Sequence, residues 1–343
     1  MTMTGNEHSS PAGANGRWNA GSVKPSLEKG MAMQHDELLN VLQGIVLFRC
    51  VTTSIVAQTW YAQSSSVVSM YEMARRIIRE LKEQRLAILR GRQGREQVLI
   101  ASSAGKRLIS VETETIGGAS VGSHPSMLFD AHTISVAASL GRLAQQISSI
   151  ACMRFICACE TPIVSGSRQW AERSDAVLGV VSTPSDDVVR DGVFTPVAWT
   201  TWADVRAVIE RNLSGNMDEI AGYYALEIDR GTASISSFRE RARLYRQGRE
   251  TPPKNASMPV APLPLVITTT EQRAKTIVRV WSESDPDTMV FAIDRNSLFS
   301  HDIFSNAWTA YRGRGGGAHA FARISPFGAL RSRKMGYREH GCP

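Results

Sequence analysis

The sequence has no long apolar run and few cysteines. Its most apolar early stretch, residues 41–48, is far shorter than the roughly 20 apolar residues that a membrane-spanning helix needs. The polar N-terminus predicts that no signal peptide is present. The five cysteines are odd in number and irregularly spaced, which argues against a disulfide scaffold and indicates a reducing compartment. We therefore expect no membrane partner.

Recognisable catalytic motifs are scarce as well. Cys152, Cys157 and Cys159 lack the CxxC spacing of a zinc site, and strand geometry turns Cys152 away from the other two. The Ser-Gly-Ser sequence at 165–167 lacks the frame of a nucleophile elbow, and the glycines at 313–317 lack the Lys-Ser/Thr ending of a phosphate loop. The seven histidines form no pair or triad. We predict no enzyme activity, since a cysteine enzyme or hydrolase needs a reactive thiol of low pKa or an activated serine.

The charge is basic and unevenly distributed. Lysine and arginine outnumber aspartate and glutamate by 39 to 32, which gives a net charge of +7. Residues 72–107 contain ten basic and four acidic side chains, so the excess of this segment nearly equals that of the whole chain. A second basic set, Arg331, Arg333, Lys334 and Arg338, is interpreted as a solvated tail, with a polyanion contact as the alternative.

The first basic segment contains the candidate nucleic-acid contacts. They are Arg75, Arg76, Arg79, Lys82, Arg85, Arg90, Arg92 and Arg95. Lysine and arginine at this density neutralise phosphates and bind nucleic acid without sequence preference. The alternative is an ordinary solvated helix face. The location of the segment, between a polar N-terminus and a β-rich region, favours nucleic-acid binding.

The hydrophobic pattern predicts a mainly β protein. Short apolar or alternating runs that are typical of strands occur at 151–160, 176–181, 263–268, 276–281 and 289–293. Two or three brief helices are expected in the connections, without the alternation of strands and helices that indicates a parallel sheet. A single jelly-roll antiparallel β-sandwich fits this pattern best.

The sequence divides into four predicted regions. A disordered N-terminus covers residues 1–33, and a basic, partly helical arm covers 34–96, so that a partly helical, partly disordered N-terminal arm precedes the sandwich. The jelly-roll domain covers 97–327, and a basic tail covers 328–343.

The central region resembles a known protein family. A short helix is followed by a strand that opens with Arg-Phe, a loop with proline and Ser-Gly, a second strand with Leu-Gly and an acidic turn. The matching residues are Leu143, Ala144, Gln145, Arg154, Phe155, Pro162, Ser165, Gly166, Leu178, Gly179, Asp186 and Asp187. This part of the chain is similar to the single jelly-roll coat proteins of icosahedral positive-strand RNA viruses of the tombusvirus and sobemovirus kind.

The resemblance implies a viral capsid protein. Its jelly roll would pack against copies of itself in an icosahedral shell, while the basic arm contacts the viral RNA genome. It also implies localisation in the virion, and in the host cytoplasm during assembly. Calcium between subunits is implied as well, with the carboxylates of Asp186 and Asp187 as candidate ligands and a capped turn as the alternative. The alternative function is a non-capsid RNA-binding protein, of nucleoprotein or movement type, that forms small oligomers.

Overall fold

The computed structural model describes residues 24–112, 131–159, 174–183, 193–250, 258–311, 321–328 and 330. The chain divides into a short first unit, Met1–Asp36, and a second unit, Glu37–Pro343, to which the architecture below belongs. In chain order the elements are α1 (Lys24–Leu47), β1 (Val51–Thr52), α2 (Thr53–Trp60), α3 (Val67–Glu83), β2 (Ala87–Gln93), β3 (Glu96–Ala101), α4 (Ser103–Glu112), α5 (Ala131–Ser148), β4 (Met153–Cys159), β5 (Ala176–Ser182), α6 (Trp202–Leu213), β6 (Ile220–Ile228), α7 (Ile235–Glu250), β7 (Leu263–Thr268), α8 (Glu271–Ser284), β8 (Phe291–Asp294), α9 (Arg295–Ser300), β9 (Trp308–Tyr311) and β10 (Phe321–Ile324).

Seven strands form a mixed sheet in the order β10-β9-β8-β7-β6-β5-β4. The central strands β6, β7 and β8 are parallel, and the strands outside them pair antiparallel. Because α7 and α8 join the parallel strands, the centre of the sheet consists of two consecutive βαβ units. A second, smaller sheet contains three antiparallel strands in the order β1-β3-β2.

Helices cover both faces of the larger sheet. Successive residues of a strand point to opposite faces, and here Val177 and Ala225 pack with α7 and α8, while Leu178 and Leu226 pack with α1, α2 and α5. α6 packs on the α7 side, against Val181. Every residue of β5 is buried, as expected for a strand that is covered on both faces.

This architecture contradicts the predicted mainly β jelly roll. The structure is a mixed sheet between helical layers, and helical residues outnumber strand residues in the part of the chain that is described. The strands predicted at 151–160, 176–181 and 263–268 are present as β4, β5 and β7. The prediction is wrong in the segments that connect β6, β7 and β8. Parallel strands require long crossover connections, and here these are the helices α7 and α8.

The segment 276–281 shows why a helix was mistaken for a strand. Its β-branched residues are typical of strands, but the segment lies inside α8. The buried residues of the helix are Ala274, Ile277, Val278, Val280 and Trp281. Most of them follow the i, i+3, i+4, i+7 spacing of an amphipathic helix, and Thr270 caps the first turn by accepting a hydrogen bond from the Arg273 N–H. The N-cap and the apolar stripe of α8 together outweigh the β propensity of its β-branched residues.

The segment predicted as an arm, residues 34–96, is folded into the core. Many of its apolar side chains, among them Leu42, Ile45 and Trp60, are fully buried. The chain forms α1, α2 and α3 and then enters the smaller sheet, where β3 begins at Glu96. The segment predicted as a basic, partly helical arm is therefore a folded helix–hairpin segment in the described residues, because its apolar runs bury enough surface to offset the entropy of ordering.

Candidate nucleic-acid interface

The helix α3 has an apolar side and a charged side. Ser66 caps it by accepting a hydrogen bond from the Ser69 N–H at 3.1 Å. Its buried residues are Ala74, Ile77, Ile78 and Leu81. Arg75, Arg79 and Lys82, at i, i+4 and i+7, are all exposed, and this spacing places them together along one flank of the apolar stripe.

Arg85 ends this helix in a conformation that arginine seldom adopts. Its φ is +57°. The Arg85 N–H donates to Lys82 O at 3.0 Å and the Leu86 N–H donates to Leu81 O at 2.8 Å, which is the Schellman motif with arginine in the position that glycine usually takes. A left-handed residue other than glycine costs roughly 1–2 kcal/mol. The left-handed backbone at Arg85 therefore lowers the stability of the fold.

The corner between α3 and β2 is held by the residues after β3. The Ser102 hydroxyl donates to Arg85 O at 2.7 Å, and its N–H donates to Leu86 O at 2.9 Å. Gly105 in α4 packs so closely that an added Cβ would lie 2.3 Å from Leu86 O. These contacts define the direction in which the chain leaves the helix and enters β2.

The strands β2 and β3 form a hairpin whose outer strand faces solvent. All residues from 88 to 95 are exposed, and Arg90, Arg92 and Arg95 are among them. A two-residue turn of Gly94 and Arg95 joins the strands, with Gly94 at φ +58°. Glycine adopts this conformation without steric cost, so the turn is tight and presents Arg95 at its tip.

Hydrogen bonds tie α3 to this hairpin. The Ser54 hydroxyl, in the first turn of α2, lies 2.9 Å from Tyr71 Oη and also donates to the Glu96 carboxylate at the start of β3. The Arg75 guanidinium carbon lies 5.9 Å from the centre of the Tyr71 ring, within the range of a cation–π contact. Helix flank and hairpin are thus held in a defined relation to each other. We call Arg75, Arg79, Lys82, Arg85, Arg90, Arg92 and Arg95 the basic surface.

Arg76 differs from Arg75, Arg79 and Lys82 on the same helix. It donates to both carboxylate oxygens of Glu37, at 3.1 and 3.2 Å, and the Tyr61 hydroxyl donates to the same carboxylate. Burial, and then the Glu37 carboxylate, raise the pKa of Tyr61 above its usual range. Arg76 therefore neutralises a buried acid. Local sequence spacing does not reveal this role, because Glu37 lies 39 residues earlier in the chain.

Several of the other predicted sites lie outside the described residues. These include the candidate calcium ligands Asp186 and Asp187, the serine–glycine loop at 165–167 and the basic tail beyond residue 330. Among the residues that the structure describes, no group of three or more His, Cys, Asp or Glu side chains is placed to hold a metal ion.

The cysteines that the structure describes lie in or beside the core. Cys50, Cys152 and Cys157 are buried. Burial raises the pKa of the Cys50 thiol to about 12 and raises that of Cys157 well above its usual value. These two thiols thus lack the low pKa that a catalytic cysteine needs.

A histidine–carboxylate pair was not predicted from the sequence. His132 Nε2 lies 2.8 Å from Asp175 Oδ1, and Asp175 Oδ2 accepts a hydrogen bond from the Ile228 N–H at 2.6 Å. The pair connects the start of α5 to the end of the parallel strand β6. Its two side chains are 43 residues apart in sequence, so no local motif could have revealed it.

Comparison of the chain with protein-family models, with curated proteins and with solved structures finds no match. None of the helices in the described ranges is long and apolar enough to cross a membrane.

Proposed function

We propose that this chain binds RNA through the basic surface. The observation that carries the proposal is that most of these cations are unpaired. Within the described residues, the side chains of Arg79, Lys82, Arg85, Arg92 and Arg95 have no carboxylate partner. Cations in this state can contact phosphates and release counterions without first breaking an ion pair.

The composition of the surface suits phosphate recognition. All of its cations except Lys82 are arginines, and the planar guanidinium donates two parallel hydrogen bonds to a phosphate. Such contacts read the backbone and not the base sequence. RNA is named because of the resemblance to RNA-virus coat proteins, while the surface itself is suited to the phosphate chemistry that RNA and DNA share.

The strained conformation of Arg85 supports the same proposal. Glycine in its place would remove the steric cost of φ +57°. Left-handed residues other than glycine are concentrated at functional sites, where the strain accompanies a role for the side chain. A phosphate contact by the exposed Arg85 guanidinium supplies such a role.

The proposal is tested by removing the flank of α3. In the triple variant Arg75→Ala, Arg79→Ala, Lys82→Ala, affinity for a fluorescein-labelled RNA of about 20 nucleotides should fall at least about tenfold at low salt. The slope of log K against log salt should fall by about 2, since each lost phosphate contact on a single strand accounts for about 0.7. Fluorescence anisotropy titrations over a range of salt concentrations measure both values.

A matched control is present on α7. Arg239, Arg243 and Arg246 are exposed and have the same i, i+4, i+7 spacing. Their replacement by alanine removes the same net charge from a helix outside the basic surface, and we expect a much smaller change in affinity. Equal losses in the two triple variants would show that net charge alone drives binding and would contradict a defined interface.

Coat-protein function is the second candidate, and the exposed edge strand β2 is the observation that favours it. A capsid requires contacts between copies in addition to RNA binding, and an unpaired strand edge can provide such a contact. The shell would then be built from the α/β fold described here. Negative-stain electron microscopy of the protein with RNA separates the candidates. Uniform closed shells support a coat protein, whereas small soluble complexes support the nucleoprotein or movement-type alternative.

A further inference from the structure

The basic surface has no exposed aromatic ring on which a base could stack. Tyr71 is the only aromatic residue between positions 65 and 107, a segment whose backbone the structure describes throughout. Its ring is partly buried and lies 5.9 Å from the Arg75 guanidinium carbon, while its hydroxyl contacts Ser54. Proteins that hold single-stranded nucleic acid draw much of their affinity from bases stacked on aromatic side chains. Unpaired bases therefore gain little from this surface.

The cations of the basic surface project from a backbone that is ordered before any ligand binds. Arg75, Arg79 and Lys82 lie on one helix, along which seven residues span about 10.5 Å. Hydrogen bonds from Ser102 hold the corner after this helix, and the tight turn at Gly94 ends the strand β2. Ordering a flexible ligand costs conformational entropy. A ligand whose phosphates already have fixed positions therefore suits this array best.

A nucleic-acid duplex presents its phosphates at fixed positions. Duplex DNA is stiff over about 50 nm and carries one charge per about 1.7 Å of its axis, twice the density of either strand alone. The flank of α3 thus extends along an axial length that holds about six duplex charges. Proteins recognise double-stranded RNA mostly by its shape and by contacts to phosphates and 2′-hydroxyl groups. Such contacts require arginine and lysine, which this surface has, and no stacking side chain.

We propose that the basic surface binds base-paired RNA in preference to single-stranded RNA. The preference has two causes: the cations have fixed positions, and the surface lacks a stacking platform, so that phosphates supply the affinity. No base has to leave its pair for these contacts to form. The inference rests on the proposed RNA binding, because it defines the class of RNA that the same surface takes.

Anisotropy titrations of the full chain measure the preference. The two labelled ligands are an RNA of about 20 nucleotides that cannot pair with itself and the duplex that it forms with its complement. Affinities are expressed per phosphate, so that the doubled charge of the duplex is not counted as preference. The duplex should bind at least about tenfold more tightly near 0.1 M salt, with a steeper salt dependence, since each phosphate contact accounts for about 0.9 on a duplex and about 0.7 on a single strand.

An added aromatic ring tests the physical cause. Leu89 is 46% exposed on β2, and tryptophan suits a strand position. Leu89→Trp should raise the affinity for the single strand at least about fivefold by stacking and leave the affinity for the duplex unchanged, so that the preference becomes smaller. Val67→Trp adds the same ring at the exposed start of α3 (68% exposed), outside the basic surface, and should not change the preference. Should circular dichroism show that Leu89→Trp does not fold, Ile88→Trp on the same strand replaces it.

The two triple alanine variants locate the preference. Removal of the α3 flank should reduce the affinity for the duplex more than that for the single strand, whereas removal of the exposed arginines of α7 should leave the ratio of the two affinities unchanged. A preference that persists in the α3 variant would place duplex binding elsewhere on the chain and overturn the inference.

The outcomes also separate this inference from the proposed function. If the single strand binds as tightly as the duplex per phosphate, the preference for paired RNA is wrong and RNA binding stands, with bases stacked on the guanidinium planes of arginine as the explanation. If neither RNA binds, both proposals are wrong. Tighter binding of the duplex that depends on the α3 flank, together with a gain for the single strand in Leu89→Trp, supports both.

Discussion

The helices α3 and α7 are both rich in arginine, but their arginines have different surroundings. The exposed cations share one spacing: Arg75, Arg79 and Lys82 on α3, and Arg239, Arg243 and Arg246 on α7. On α7, Arg243 pairs with Glu240 and Arg246 pairs with Glu250 on the same helix. No carboxylate among the described residues pairs with the three cations of α3. Density of positive charge alone therefore does not distinguish a structural helix from a binding surface.

The inner arginines of α7 strengthen the contrast. Arg249 donates to both oxygens of Asp285, at 2.9 and 2.7 Å, and Arg241 donates to Glu227. Both carboxylates are almost completely buried. These ion pairs join α7 to the end of α8 and to the sheet, so the inner arginines of α7 stabilise the fold.

The largest predicted effect breaks one of these inner pairs. Arg249→Ala leaves the Asp285 carboxylate buried and without its guanidinium, and the loss of one partner of a buried pair costs about 3–5 kcal/mol. Urea unfolding followed by circular dichroism measures the change. Arg246→Ala on the same helix is the matched control and should cost much less, because its pair with Glu250 lies on the surface. Equal losses would remove the distinction between inner and outer arginines.

The second prediction extends the comparison to α8, whose Arg273 donates to Asp229 together with Thr268 at the end of β7. Burial alone raises the pKa of Asp229, but these hydrogen bonds outweigh it and hold the pKa below its usual value. Since an unfolded aspartate titrates near about 3.9, this carboxylate stabilises the fold above about pH 4, and the contribution is lost as the pH falls through the lower folded pKa. Asp229→Asn should be less stable at neutral pH and should lose less stability than the natural chain upon acidification from about pH 5 to pH 2. The free energy of unfolding in urea is measured against pH for both proteins. If it falls equally with pH in the natural chain and in Asp229→Asn, the stabilising role of the Asp229 carboxylate is wrong.

The third prediction concerns Arg76 of α3, which pairs with the Glu37 carboxylate. Arg76→Ala removes the guanidinium from Glu37 and should cost about 1.5–3 kcal/mol, the scale of a hydrogen bond to a charged group. Arg79→Ala should cost no more than about 0.5 kcal/mol, as for most surface substitutions. In RNA titrations the order should reverse, with the larger loss of affinity in Arg79→Ala. If the same variant showed the larger loss in both stability and RNA affinity, the structural role of Arg76 and the binding role of Arg79 would not be distinct.

The smallest predicted effect has opposite signs in stability and in binding. Arg85→Gly relieves the left-handed backbone at the end of α3 and should stabilise the protein by up to about 1 kcal/mol. It also removes a cation from the basic surface, so the affinity for RNA should decrease. Thermal unfolding and anisotropy on the same preparation test both signs. A loss of stability would show that the Arg85 side chain supports the fold.

Part of the fold could be predicted from local pattern. The strands at 176–181 and 263–268 have short apolar runs between turn residues, and the structure places β5 and β7 there. The predicted architecture was nevertheless wrong, because the segment 276–281 was assigned from its β-branched residues although it belongs to α8. Once that connection is a helix, parallel pairing of β7 and β8 becomes possible, and an antiparallel sandwich is excluded.

By itself the sequence determined where the positive charge is concentrated, since the eight predicted contact residues all lie at exposed positions of α3, the corner after it, β2 and the turn that follows. Only the tertiary structure decided which cations are free to bind. Arg249 meets Asp285 from 36 residues away, and Arg76 meets Glu37 from 39 residues away. Such pairs depend on how helices pack across the fold, and local spacing carries no information about partners that are distant in sequence.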